Sequence, residues 1–159
     1  TGAEDYSLPG TILGYTALAK DATAASYDIT TSFVVIDANA KVTFVAPPSG
    51  NVEIFVSVFS DAAASRTLYL GLSDKSTYNT LDVTHEHEVL THDETDEVQV
   101  NHYWVVTGLT AGTSYTWWIG AKGSHSSVYV LRWGGTATNE YAPFIIKATA
   151  LPTTIHDGK

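Results

Sequence analysis

The sequence predicts an all-β domain, an antiparallel two-sheet jelly-roll sandwich of about eight to ten strands. Apolar residues alternate with period two in one segment after another, as they do in strands with one buried face. Turn-forming Gly, Pro, Asn and Asp recur at intervals of roughly ten residues, which is the rhythm of short strands folded back on each other. No segment carries an amphipathic pattern of helical period. An immunoglobulin-sized sandwich uses about 100 residues, so a chain of 159 suits a jelly roll better.

Along the chain, a Pro9-Gly10 turn precedes a first short strand over residues 12–18. Residues 27–36 give one or two short strands around Thr30-Thr31-Ser32, and Asp37-Ala38-Asn39 is a turn candidate. Val42, Phe44 and Ala46 alternate until Pro47-Pro48-Ser49-Gly50 stops the strand. The next run is the longest, with Val52, Ile54, Val56 and Val58 on one face and Glu53, Phe55, Ser57 and Phe59 on the other. Leu68, Leu70 and Leu72 alternate with Thr67, Tyr69 and Gly71 beyond a small-residue loop at 61–65. An acidic, His-rich segment follows the loop at 73–80, with a strand near 83–90 leading into a hairpin toward Glu97.

Residues 98–122 form the unit around which the chain is organised. Val98, Val100, His102, Trp104 and Val106 share one face, and Gln99, Asn101, Tyr103, Val105 and Thr107 share the other. Gly108 and Gly112 supply the positive φ of a tight connection, and Tyr115, Trp117, Ile119 and Ala121 line one side of the second arm. Three of the four tryptophans fall in or beside this unit, which makes it the expected anchor of the core. Farther on, Tyr129, Leu131 and Trp133 oppose Val128, Val130 and Arg132 up to Gly134-Gly135. Phe144, Ile146, Ala148 and Ala150 then alternate with Ile145, Lys147 and Thr149. Residues 1–152 are expected to be one domain, and 153–159 a disordered tail or linker.

With 44% hydrophobic residues and no cysteine, the chain can fill one core without disulfides, and thiol catalysis and Cys-type zinc or iron-sulfur sites are excluded. The net charge of −9 and only eight scattered Lys and Arg argue against nucleic acid and anionic membranes as partners. No stretch approaches a membrane span and no basic-then-apolar leader stands at Thr1; a start at Thr rather than Met points to an excised fragment. Asp82, Glu86, Glu88, Asp93, Glu94, Asp96 and Glu97 concentrate the negative charge in one segment. There is no G-x-S-x-G elbow, phosphate loop, H-E-x-x-H or EF-hand loop, so neither an enzyme nor a cofactor is expected.

His85 and His87, two apart, would project to one face of a strand with His92 nearby, a spacing that zinc sites use. In an acidic surface hairpin the commoner meaning is a solvated face. His102, among apolar neighbours, is expected to be a hydrogen-bonded core or interface residue. Phe55, Phe59, Tyr69, Trp118, Tyr129, Leu131 and Trp133 would lie opposite other apolar residues of their strands, on a side that should be wet in a monomeric sandwich. Something must cover it, and the two coverings considered are identical subunits and a ligand such as a sugar laid on the rings. Subunit packing is the preferred one.

Three stretches carry a family resemblance: Leu8-Pro9-Gly10-Thr11-Ile12-Leu13-Gly14-Tyr15, then Lys41-Val42-Thr43-Phe44-Val45-Ala46-Pro47-Pro48-Ser49-Gly50-Asn51-Val52, and Val106-Thr107-Gly108-Leu109-Thr110-Ala111-Gly112-Thr113-Ser114-Tyr115. Their order resembles the β-sandwich domains of bacteriophage virion proteins, found on tail fibres, head fibres and minor structural proteins. Such domains look like the trimeric C1q and tumour-necrosis-factor jelly rolls. The resemblance implies a homotrimer on the surface of the virion, with a structural, decoration or host-attachment role, and other virion proteins or host surface glycans as partners. The last stretch also resembles fibronectin type III domains, where a tyrosine after this turn bonds back to the backbone. That alternative implies a carbohydrate-binding or fibronectin-like module of a secreted bacterial protein.

Overall fold

A computed structural model describes residues 8–19, 24–79, 81, 85–126, 129–135 and 140–156. The described residues form eleven strands and no α-helix: β1 Ile12–Leu18, β2 Ala25–Asp28, β3 Val34–Val35, β4 Lys41–Val45, β5 Val52–Ala62, β6 Arg66–Ser73, β7 Glu86–His92, β8 Asp96–Val106, β9 Ser114–Gly123, β10 Tyr129–Trp133 and β11 Phe144–Ala150. They make two antiparallel sheets in a jelly-roll-like sandwich. The count exceeds eight to ten because residues 25–35 supply two very short strands, β2 and β3.

The first sheet is built on β5. This strand pairs along its whole length with β8, and on its other side with β11 and then β10; β1 and β2 flank those two. The second sheet is built on β9, which pairs with β6 on one side and with β4 and β3 on the other, and β7 extends it beyond β6. Alternation explains the core between them. Val52, Ile54, Val56 and Val58 of β5, with Trp104 of β8, meet Leu68, Leu70 and Leu72 of β6 and Trp117 and Ile119 of β9, all of them buried.

One sequence expectation about pairing is corrected: the acidic segment is not a hairpin, because β7 pairs with β6 and β8 with β5. The two arms of the 98–122 unit also lie in different sheets, β8 in the first and β9 in the second. In both cases the apolar faces bury themselves by facing each other across the core, which requires successive strands to change sheets. Gly108 and Gly112 do hold positive φ, 77° and 76°, as the connection requires. That connection is tied to the loop after β4 by Leu109 N donating to Gly50 O at 2.9 Å and Gly112 N to Ala46 O at 2.9 Å.

The sandwich is closed along both long edges. On one, β1 lies so near β4 that a side chain at Gly14 would strike the Thr43 carbonyl, and Thr16 Oγ1 donates to Lys41 O at 2.7 Å. On the other, β7 and β8 meet through His87 and His102. At the C-terminal end, Asn51 Nδ2 donates to the carbonyls of Pro152 and Thr153, so the start of the expected tail is fastened to the domain. Residues 154–156 are exposed and irregular, and 157–159 lie outside the described residues.

Candidate functional site

The outer faces of the two sheets differ in what covers them. On the second sheet, Gly71 of β6 and Gly120 of β9 leave a flat strip with no side chains, and the Tyr78 ring lies directly on it. Tyr78 stacks on Phe33, with ring centroids 4.9 Å apart and planes 13° apart, and its hydroxyl donates to Glu86 Oε1 at 2.8 Å. Lys122 spreads over Phe33 and Tyr69, its Nζ 4.9 and 5.0 Å from the ring centres. Trp118 donates its indole N–H to Ala38 O at 3.1 Å and lies under Lys41. Tyr69 and Trp118, expected to need an external cover, thus receive one from their own chain.

Among the described residues, no such lid lies over the half of the first sheet's outer face nearest the β8–β9 connection. Register places Tyr15, Lys147, Phe55 and Tyr103 in one row across β1, β11, β5 and β8, with Ile12, Thr149, Glu53 and Val105 in the row beside it. Ile12, Tyr15, Tyr103 and Val105 are 57%, 56%, 53% and 52% exposed, far above what strand residues of a closed sandwich show on a covered face. Phe55 packs at 4.9 Å against Tyr103 and beneath Lys147, whose Nζ is 5.2 Å away. In the other half, Phe59 is covered by Tyr141 at 4.9 Å, and Arg132 links to Asp61 at 2.9 Å.

Of the sequence candidates, Phe55 alone therefore belongs to an open apolar face. Tyr129, Leu131 and Trp133 are corrected outright: they are buried in the core, and Val130 and Arg132 take the outer side of β10. The Arg132–Asp61 pair must reach water, and this fixes which side of β10 points out. Sequence reasoning missed Ile12 and Tyr15 because a bulge between Ile12 and Gly14 brings both to the outer side. Tyr103 and Val105 were legible as the face opposite Trp104.

The histidines separate instead of gathering. His87 Nδ1 and His102 Nε2 share a hydrogen bond of 2.8 Å, and the His102 ring meets Trp104 edge-on at 4.7 Å. Burial, aided by the neighbouring His87, pushes the His102 imidazole down to about 4. His92 lies in the core, where Nε2 is 3.1 Å from Ser60 Oγ and the ring abuts Tyr129, whose phenol burial pushes up to about 12. His85 is buried, and its carbonyl accepts from the Trp104 indole at 3.2 Å. Among the described residues no three metal-ligating side chains come together, so the candidate set of His85, His87 and His92 is not formed.

No family model and no curated protein matches the chain. Among solved structures it is similar, at TM-score 0.33 and 11% identity, to the CBM22-1–GH10 modules of Clostridium thermocellum endo-1,4-β-D-xylanase 10B complexed with xylohexaose. The match covers 95% of this chain and 30% of that one, so the chain spans under a third of that protein's length.

Proposed function

We propose that the chain is a non-enzymatic structural domain of a phage virion protein, of the fibre or decoration type, whose copies assemble as a homotrimer through the open outer face of the first sheet. The observation that carries this reading is the exposure of Ile12, Tyr15, Tyr103 and Val105 around half-buried Phe55, while among the described residues Tyr69, Trp118 and Phe59 are covered by neighbouring side chains or loops of the chain itself. A face about 15 Å across, on which Ile12, Tyr15, Phe55, Tyr103 and Val105 flank Lys147, Thr149 and Glu53, suits a protein partner. Identical subunits are the simplest source of one. The trimeric order and the virion setting come from the resemblance of residues 8–15, 41–52 and 106–115 to phage sandwich domains.

Light scattering tests it. A mass close to 51 kDa, three times the 17.1 kDa chain, is expected, falling to the monomer in Tyr103→Lys combined with Val105→Lys while the circular dichroism stays that of the folded domain. A wild-type chain that remains monomeric at every concentration overturns the reading.

One observation favours the second reading, a monomeric carbohydrate-binding or fibronectin-like module. Tyr115 Oη accepts from Thr110 N at 3.2 Å, the backward bond of a tyrosine corner. A monomeric mass together with glycan-array binding that disappears in Tyr15→Ala would support it over assembly.

A further inference from the structure

At the end of the sandwich where the loops after β4, β6 and β8 meet, the two sheets part around a cleft of about 320 Å³. Its walls are Leu81, Val106, Leu109, Tyr115 and Trp117, and its polar groups are Asp74, His85 and Thr107. The volume lies at the small end of ligand pockets, roughly 300–1,000 Å³. This site is separate from the outer face of the first sheet and does not depend on the assembly reading.

The cleft is built before any ligand arrives. Tyr115 and Trp117 are locked by Phe44, which lies 5.9 and 5.0 Å from their rings, and by the Tyr115 bond to Thr110. Leu109 is pinned to Gly50, where no Cβ fits against the Leu109 carbonyl. The wall bearing Asp74 is shaped by Ser73, whose Oγ accepts from Lys75 N at 3.2 Å and Asn79 N at 2.9 Å and donates to Lys75 O at 2.8 Å. Little ordering cost is therefore left for binding.

We infer that this cleft binds a single neutral sugar ring, with the apolar face of the ring against half-buried Leu109 and Tyr115 and its hydroxyls toward the exposed Asp74 and Thr107. A carboxylate and an alcohol together accept from and donate to vicinal hydroxyls, while aliphatic and aromatic walls take the C–H face. Charge narrows the class: among the described lining residues there is one carboxylate, Asp74, which accepts from Asn79 Nδ2 at 3.3 Å, and no Lys or Arg, and the whole chain stands at −9. An anionic ligand would enter against that field, whereas a neutral polyol supplies the donors that a carboxylate accepts.

The test is a titration of the ¹⁵N-labelled chain with glucose, galactose, mannose, N-acetylglucosamine and, as anionic control, glucuronate. At least one neutral sugar should shift the Trp117 indole and the amides of residues 106–109 saturably, with roughly millimolar affinity, and glucuronate should not. Asp74→Ala, on an exposed loop, should weaken that sugar about tenfold, the usual loss for a hydrogen bond to a charged group. Thr107→Val should weaken it less, and Tyr103→Lys should leave it unchanged. Saturation by none of the neutral sugars overturns the inference. So does full binding in Asp74→Ala, or indole used as a flat apolar probe occupying the cleft while every sugar fails.

Discussion

Both sheets carry strands that are apolar on two sides, yet the chain treats their outer faces in opposite ways. The second sheet gives up side chains at Gly71 and Gly120, and a loop lays Tyr78 in the gap, with Phe33 stacked on it and Lys122 across the rim. The first sheet keeps side chains at every position of its matching rows and receives no loop among the described residues, so Ile12, Tyr15, Tyr103 and Val105 are exposed. Strands that are apolar on both sides are therefore two distinct situations. One is an internal joint that happens to lie outside the core, and the other leaves large apolar side chains exposed.

The strongest way to break this contrast is to refill the glycine strip. A Cβ at Gly120 would collide with two carbons of the Tyr78 ring, so Gly120→Val must displace the ring and lose its burial and its stack on Phe33. We expect a loss of about 3 kcal/mol, combining overpacking with the lost aromatic contact, or a fall in Tm of about 6–12 °C. Thermal melts check it; an unchanged Tm would mean that Tyr78 does not occupy the strip.

Tyr78→Ala should cost less, about 2 kcal/mol, because the ring is only half-buried and glycine strips tolerate water. Its sharper readout is a new apolar surface: dye binding by anilinonaphthalene sulfonate should rise at the second sheet and make the two faces alike. The double variant Gly120→Val with Tyr78→Ala should recover part of the loss of Gly120→Val alone, since valine then enters vacated space. Strict additivity of the two changes would contradict the contact.

Much of this architecture was legible as faces and little of it as partners. Period-two alternation assigned Val52 to Val58, Val98 to Val106 and Phe144 to Ala150 to the correct side, because each strand buries one side against a single core. Alternation carries no information about which strand lies alongside, so the sheet changes at β7–β8 and β8–β9 were invisible. It is also symmetric where both sides are apolar, as in β10, where the deciding signal was the charge on Arg132 and not the size of Trp133. The glycines at 71 and 120 sit opposite each other only once β6 and β9 are paired, so the seat for Tyr78 has no local signature. The same holds for the cleft, whose lining residues come from three separate stretches, 74–85, 106–109 and 115–117.

The two long edges of the sandwich extend the contrast to acid. The β1–β4 edge is joined by Thr16 and Lys41 O, a bond indifferent to pH, whereas the β7–β8 edge is joined by two imidazoles sharing one hydrogen bond. One ring must donate and the other accept, so at least one must be neutral. Burial first, and then the His87 charge, lower His102 from the usual 6.5 to about 4 in the folded chain. A depressed imidazole opposes folding only when the unfolded chain can take up the proton. Stability is therefore full above about pH 6.5 and declines between there and pH 4. With the ring half-buried and partly screened, the loss should be on the order of 1–2 kcal/mol at pH 4. His102→Gln should flatten that segment of the Tm–pH curve by the same amount while leaving carboxylate titration below it. A curve equally steep in the variant would place the acid-sensitive contact elsewhere, at the acidic turn between β7 and β8 and not at the joint that holds the edge of the open face in place.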